Sequence, residues 1–184
     1  MPALFYLPFA AVGTGLIIAR SEFIGIGLWW LVASVVVGWL AMNFLALAGN
    51  QFMRRQLRRE LNEVHPLSSE AIFVGYARPG FRSALDPHED LGFLTLEPNH
   101  LMFVGEIYRF TLPRHTVSRV TFRMNPHTLV GLGRFVRVTG LIDGRPTDVL
   151  LEPREKLTLL GNLRAGTRLA KQIRGWVQEK APRA

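Results

Sequence analysis

Two apolar runs at the N-terminus constrain this chain more than any other feature. The first is Leu4 to Ala19, LFYLPFAAVGTGLIIA, and the second is Phe23 to Ala48, FIGIGLWWLVASVVVGWLAMNFLALA. Only Arg20, Ser21 and Glu22 separate them, and Arg20 and Glu22 are the sole charged side chains before position 50. The first run covers roughly 24 Å as a helix against a hydrocarbon core of ~30 Å, so Arg20 must snorkel outward for it to cross. The second is long enough to cross with tilt. Ser21 suits the N-cap of the second helix and Glu22 its positive end. A link this short predicts two antiparallel neighbours, a transmembrane hairpin over 1–49.

Small residues fall at helical spacing in both runs: Ala11, Gly15 and Ala19 in the first, Ser34 and Gly38 in the second. Small side chains let helix backbones approach closely in lipid, so these positions are candidates for packing within the hairpin or against another membrane subunit. Trp29 and Trp30 suit the outer interface belt. Asn43 requires a hydrogen-bond partner at depth, which a backbone group or a neighbouring helix can supply. The first run lacks the positively charged start of a signal peptide and is expected to be retained.

Arg54, Arg55, Arg58 and Arg59 follow the second run directly, whereas the opposite turn carries one Arg. The positive-inside rule then puts both termini in the cytoplasm and the chain in the inner (cytoplasmic) membrane as a multi-pass protein. Helical periodicity continues over 50–65, with Met53, Leu57, Leu61 and Val64 on one face and the arginines away from it. Pro66 stops the pattern. This juxtamembrane helix can dock on the following domain through its apolar stripe, and its arginines suit anionic headgroups.

Residues 66–184 read as a cytoplasmic β domain with a C-terminal helix. Short runs with period-two alternation appear at 71–77, 92–97, 100–106, 108–112, 116–124, 134–142 and 147–152. Asp143-Gly144 marks a tight hairpin that requires positive φ. Residues 125–133 read as a longer loop. After Pro153, REKLTLLGNL reads as a short helix or turn. A separate amphipathic helix follows Gly166-Thr167, with Leu169, Ile173, Trp176 and Val177 forming its stripe. The fold class is therefore α+β.

Within this order, LGFLTLEPNHLMFVGEIYRFTLPRHTVSRVTF resembles the core of bacterial PH-like and GRAM-like domains. Leu94-Thr95-Leu96, His100 to Phe103, and Leu112-Pro113 through Val117 and Val120 occupy the matching places. The resemblance spans about 69–180. It implies a seven-stranded PH-like barrel or sandwich capped by a helix, carried here on a two-helix membrane hairpin.

No catalytic constellation emerges, and no cofactor or metal site is expected. There are no cysteines, which removes disulfides, thiolate chemistry and cysteine-held metals. His65, His88, His100, His115 and His127 form no paired metal-ligand spacing. Asp86-Pro87-His88-Glu89-Asp90 reads as a solvated turn rather than a metal loop. Gly131-Leu132-Gly133-Arg134 lacks a phosphate-binding pattern.

The net charge of +8 is placed unevenly. The strands over 65–153 are balanced, whereas 50–64 and 154–184 hold the excess. Arg54, Arg55, Arg58 and Arg59, with Arg164, Arg168, Lys171 and Arg174, are the candidate lipid- or partner-binding residues. The expected function is a non-catalytic, membrane-anchored binding or scaffold protein that contacts membrane lipids and a membrane or peripheral protein partner. Nucleic acid is not expected. The alternative is an accessory structural subunit of a larger membrane complex, such as an energy-transducing or photosynthetic assembly.

Overall fold

The computed structural model describes residues 7–19, 24–80 and 88–179. The chain divides between Ala48 and Gly49 into two units.

The first unit holds α1 (Leu7–Ala19) and α2 (Ile24–Leu45). A helical run beginning at Ile24 is, among the described residues, the one long and apolar enough to cross a membrane by length and composition. The 22 residues of α2 extend about 33 Å, whereas the 13 of α1 reach only about 20 Å. The expected second crossing thus has too short a described helix to stand alone. Ser21 and Glu22 lie outside the described residues.

Within this unit the close approach uses Gly13 and Gly27. A methyl group added to Gly13 would come 2.8 Å from the Gly27 carbonyl oxygen, and one on Gly27 would come 2.7 Å from that of Gly13. Ser34, Gly38 and Asn43 are buried on α2, and the Ser34 hydroxyl donates to the Leu31 carbonyl at 2.7 Å. Ala11 and Gly15 are exposed, and the Ala19 side chain lies outside the described set.

The second unit begins with α3 (Asn50–Val64), which ends at His65, one residue before Pro66, where proline disfavours a continuing helix. Seven strands follow: β1 (Ile72–Ala77), β2 (Asp90–Leu96), β3 (His100–Gly105), β4 (Arg109–Pro113), β5 (Arg119–Arg123), β6 (Phe135–Ile142) and β7 (Arg145–Pro153). They form one antiparallel sheet in the order β4-β3-β2-β1-β7-β6-β5. Two meanders, β1 to β4 and β5 to β7, are thus joined where β1 meets β7, from Val74 opposite Pro153 to Ala77 opposite Leu150. The β6–β7 hairpin turns on Asp143 and Gly144, both with positive φ, as the sequence required.

Alternation along β1 sends side chains to two separate cores. Val74 and Tyr76 join Leu94, Leu101, Phe103, Val136, Val138 and Leu151 inside the curled sheet. The final helix, α4 (Leu159–Gln178), covers that side with Leu169, Ala170, Ile173 and Trp176. Phe73 points the other way and meets Phe93, Val104, Leu57 and Leu61, so α3 covers the outer face of β1 to β3. Of the four stripe residues read from sequence, Leu57 and Leu61 are buried, whereas Met53 and Val64 remain exposed.

The helix α4 is continuous, where the sequence suggested two pieces. Thr158 caps it by accepting from the Gly161 N–H, and the run passes through Gly166 unbroken. Gly166 is buried near Pro153 and Val136, so tertiary packing outweighs its weak helix propensity. The 125–133 segment contains a 3-10 turn, Pro126–Val130, closed by a capping box between Asn125 and Thr128.

Candidate functional site

An opening lies between the start of β1 and α4. The strand β1 begins at Ile72, but β7 pairs with it only from Val74 and stops at Pro153. The missing pairing leaves a groove of about 830 Å³. Ile72, Thr95 and Leu96 form its strand side, and Ala165, Arg168, Leu169 and Gln172 its helix side. Arg54 of α3 reaches its rim and lies 3.5 Å from Glu155. Lys156, Glu70 and Glu97 complete the charged lining. Basic and acidic groups are interleaved, so the groove suits a polar chain that carries both signs better than a compact anion.

A rigid floor adjoins this groove. The Trp176 indole N–H donates to the Glu97 carbonyl at 2.6 Å, and the Arg114 guanidinium lies over the same ring at 5.5 Å. Arg114 also donates to the carbonyls of Pro98 and Glu179, which ties the β2–β3 turn to the end of α4. A shallower hollow beside Lys171, Gly175 and Trp176 shares Arg168 and Gln172 with the groove, so the two form one shelf along α4.

The other concentration of chemistry is a buried polar cluster. Glu152 sits on β7 opposite Gly75 of β1. Its carboxylate accepts from the Asn125 amide at 2.8 Å and lies 2.8 Å from His88 Nε2. Arg154 places Nη2 2.7 Å from His88 Nδ1 and 3.4 Å from the carboxylate. A guanidinium can only donate, so Nδ1 accepts and the ring proton sits on Nε2, facing Glu152. The His88 ring fills the space that a Gly75 side chain would occupy; a methyl there would come 1.7 Å from Cδ2.

Burial pushes the His88 pKa down, and the Arg154 charge adds to this against the pull of Glu152. Burial alone would raise the Glu152 carboxyl, yet the His88 hydrogen bond and the Arg154 charge hold it below its ordinary value. His127 is lowered chiefly by burial. The cluster is therefore a neutral histidine bridging a carboxylate and a guanidinium, enclosed against Phe135. The carboxylate is held by His88 and Asn125, as a buried ion pair requires of its extra hydrogen bonds, whereas the Arg154 Nε is buried without a partner.

The eight basic residues singled out by sequence separate into distinct roles. Arg54 and Arg168 meet at the groove. Arg58 donates to the Ser68 carbonyl at 2.6 Å and lies over the Phe93 ring, which pins α3 to the sheet. Arg174 donates twice to the Val120 carbonyl, at 3.2 and 3.0 Å, and holds α4 on β5. Arg55, Arg59, Arg164 and Lys171 are exposed. Of the acidic cluster at 86–90, Asp86 and Pro87 lie outside the described residues. Glu89 pairs with Arg78 at 2.8 Å. Asp90 is buried and accepts from the backbone of Leu91, Ile107 and Tyr108. Among the described residues, no three potential ligands group as a metal site.

Sequence reading missed the Glu152 cluster and the Arg134 contact. Arg134 lies 3.7 Å over the Phe122 ring and donates to Thr167 at 2.9 Å. Glu152 did carry a signal: an acid that closes the apolar run Val149-Leu150-Leu151 just before Pro153. A scan of protein-family models, a search of curated proteins and a search of solved structures each returned no match to this chain.

Proposed function

We propose that this chain is a non-catalytic membrane-anchored binding protein, whose β domain receives a segment of a protein partner in the groove between β1 and α4. In this reading α1 and α2 form a two-helix hairpin in the cytoplasmic membrane, with both termini in the cytoplasm. The domain is PH-like and acts as a scaffold at the membrane face. The observation that carries the proposal is the groove itself: about 830 Å³, open, with Arg54, Lys156 and Arg168 interleaved with Glu70, Glu97 and Glu155. Such a lining favours a partner chain of mixed charge over an anionic headgroup, which would meet three carboxylates. The strand order with its terminal covering helix supports the PH-like reading. The arginines after α2 support the orientation.

The absence of native cysteine makes the test direct. A photo-crosslinker attached to a single cysteine at Gln172, in the full-length protein within its native membranes, is expected to give a discrete protein adduct. Arg168→Glu, on the same groove wall, is expected to abolish it. Adducts to lipid alone, or a protein adduct that ignores Arg168→Glu, overturn the groove as the partner site.

A further inference from the structure

We propose that the free edge of β4 is a self-association surface, at which two copies of this chain join their sheets by antiparallel pairing centred on Phe110. The inference is independent of the groove and of the membrane reading, because every residue it uses lies in the unit that begins at Gly49.

The sheet ends on two edge strands, β4 and β5. Edge strands present unpaired N–H and C=O groups that can template pairing with another chain. The two edges here differ. On β5, Arg174 donates twice to the Val120 carbonyl, and the Arg134 and Arg174 guanidiniums lie over the Phe122 ring. Among the described residues, no side chain guards the backbone of Arg109 or Thr111 on β4 in this way.

The register fixes which groups are free. In an antiparallel ladder, residues that bond to the neighbouring strand alternate with residues whose groups face away. The Gly105 N–H donates to the Tyr108 carbonyl at 2.9 Å, and the register continues with Phe103 opposite Phe110 and Leu101 opposite Leu112. Tyr108, Phe110 and Leu112 therefore bond to β3, and Arg109 and Thr111 turn their backbone groups outward. Both ends of this edge are closed. The Ile107 N–H donates to Asp90 at 3.1 Å. Pro113 has no N–H, and its carbonyl accepts from the Thr116 hydroxyl at 2.8 Å. Phe110 seats the strand on the core by stacking on Phe103, with ring centroids 5.1 Å apart. Two donors and two acceptors remain.

That set is complementary to itself. With a two-fold axis at Phe110, Arg109 of each copy pairs with Thr111 of the other, and every outward group is used. An edge arginine deters strands of arbitrary sequence, but a second copy answers its charge. A hollow of about 450 Å³ runs beside the edge, lined by Arg109, Phe110 and Thr111 and by Ile142 and Asp143 at the tip of the β6–β7 hairpin. Arg109 and Asp143 are both exposed, and among the described residues neither has an ion-pair partner in its own chain. The symmetric pairing sets Arg109 of one copy along the hollow that Asp143 of the other borders, and no like charges stand directly opposite. The contact is far smaller than a standard interface, so association is weak and concentration-dependent.

The chain has no cysteine, so the pairing can be read by crosslinking. Full chains carrying Arg109→Cys and Thr111→Cys under different tags, mixed in detergent, are expected to join through a short bismaleimide, whereas Arg119→Cys on β5 is expected to stay single. Thr111→Pro removes an outward donor from each copy and leaves the ladder to β3 intact. It is expected to raise the dimer Kd, measured by sedimentation in density-matched detergent, at least about tenfold, with thermal unfolding unchanged. Arg109→Glu, which meets Asp143 of the other copy, is expected to weaken the dimer as well. A chain that stays monomeric at every concentration overturns the proposal. A dimer that both variants leave unchanged, or one that crosslinks through Arg119→Cys instead, lies elsewhere and also overturns it. Crosslinking of the edge to a foreign protein in place of a second copy gives the edge to another partner and overturns the self-pairing. If Thr111→Pro fails to fold, Arg109→Glu and the crosslinking pattern decide.

Discussion

His88 Nε2 lies 2.8 Å from a Glu152 carboxylate oxygen, and the ring that makes this contact rests where Gly75 has no side chain. The pair joins the segment before β2 to the end of β7, two parts of the sheet that β1 alone would otherwise bridge. Because both groups are buried and titratable, the junction couples fold stability to pH.

The sign follows from the lowered His88 pKa. In the unfolded chain the imidazole titrates near its ordinary value, about 6.5, whereas the folded site resists the proton. Below that value the unfolded state binds a proton that the folded state refuses, so stability is complete above about pH 6.5 and declines as pH falls. His127, lowered by burial, acts in the same direction. Glu152, held low, adds a further loss at more acid pH, where its carboxylate is protonated. Thermal unfolding of the full chain in detergent should therefore show a melting temperature that drops on acidification. His88→Gln, which keeps a donor toward Glu152 but cannot titrate, should flatten that slope. An unchanged slope in the variant would show that His88 does not govern it.

The outer face of the sheet yields a second expectation. Leu61 is buried with Phe73 and Phe93, and among the described residues no strand covers that side. If α3 is an integral layer of the domain, Leu61→Ala should lower stability by ~2–5 kcal/mol, the range for a buried Leu truncation. Val64→Ala, exposed on the next turn, should fall within ~0.5 kcal/mol of wild type. Chemical denaturation followed by tryptophan fluorescence measures both. Equal midpoints for the two variants would mean that α3 does not contribute its stripe to the fold.

Local pattern carried much of this architecture in the sequence. Seven strands and the Asp143-Gly144 hairpin are legible because side chains alternate along a strand and because two positive φ values demand such residues. The stripe of Leu169, Ile173 and Trp176 is legible for the same kind of reason, at helical period. What could not be read depends on residues brought together from distant segments. His88 looks like part of a solvated turn until Glu152 and Arg154 are placed beside it. Arg174 looks like a free basic residue until α4 sets it on the Val120 carbonyl. The groove is likewise invisible locally, because it arises from where β7 stops pairing with β1.

Ser34 and Gly38 are buried on α2, as small packing residues should be, but on α1 spacing pointed to one set of small residues and geometry to another. Ala11, Gly15 and Ala19 were the evident set on α1, yet Ala11 and Gly15 are exposed and Gly13 makes the close approach to Gly27. The two glycines leave no room for a methyl group: on Gly27 it would stand 2.5 Å from Ile17 Cγ1 and 2.7 Å from the Gly13 oxygen, a backbone atom that cannot turn aside. Gly27→Ala should therefore force the helices apart, at a cost of ~1–3 kcal/mol for overpacking. Gly25→Ala, with nothing within 4 Å, should be neutral or gain up to about 1 kcal/mol through helix propensity. Both variants lie in α2 and change apolarity equally, so membrane insertion is matched. Cysteines introduced on α1 and α2 close to Gly13 and Gly27, crosslinked in vesicles, should then react more slowly in Gly27→Ala than in Gly25→Ala. Equal rates would remove the glycine contact as the determinant of how these two helices meet.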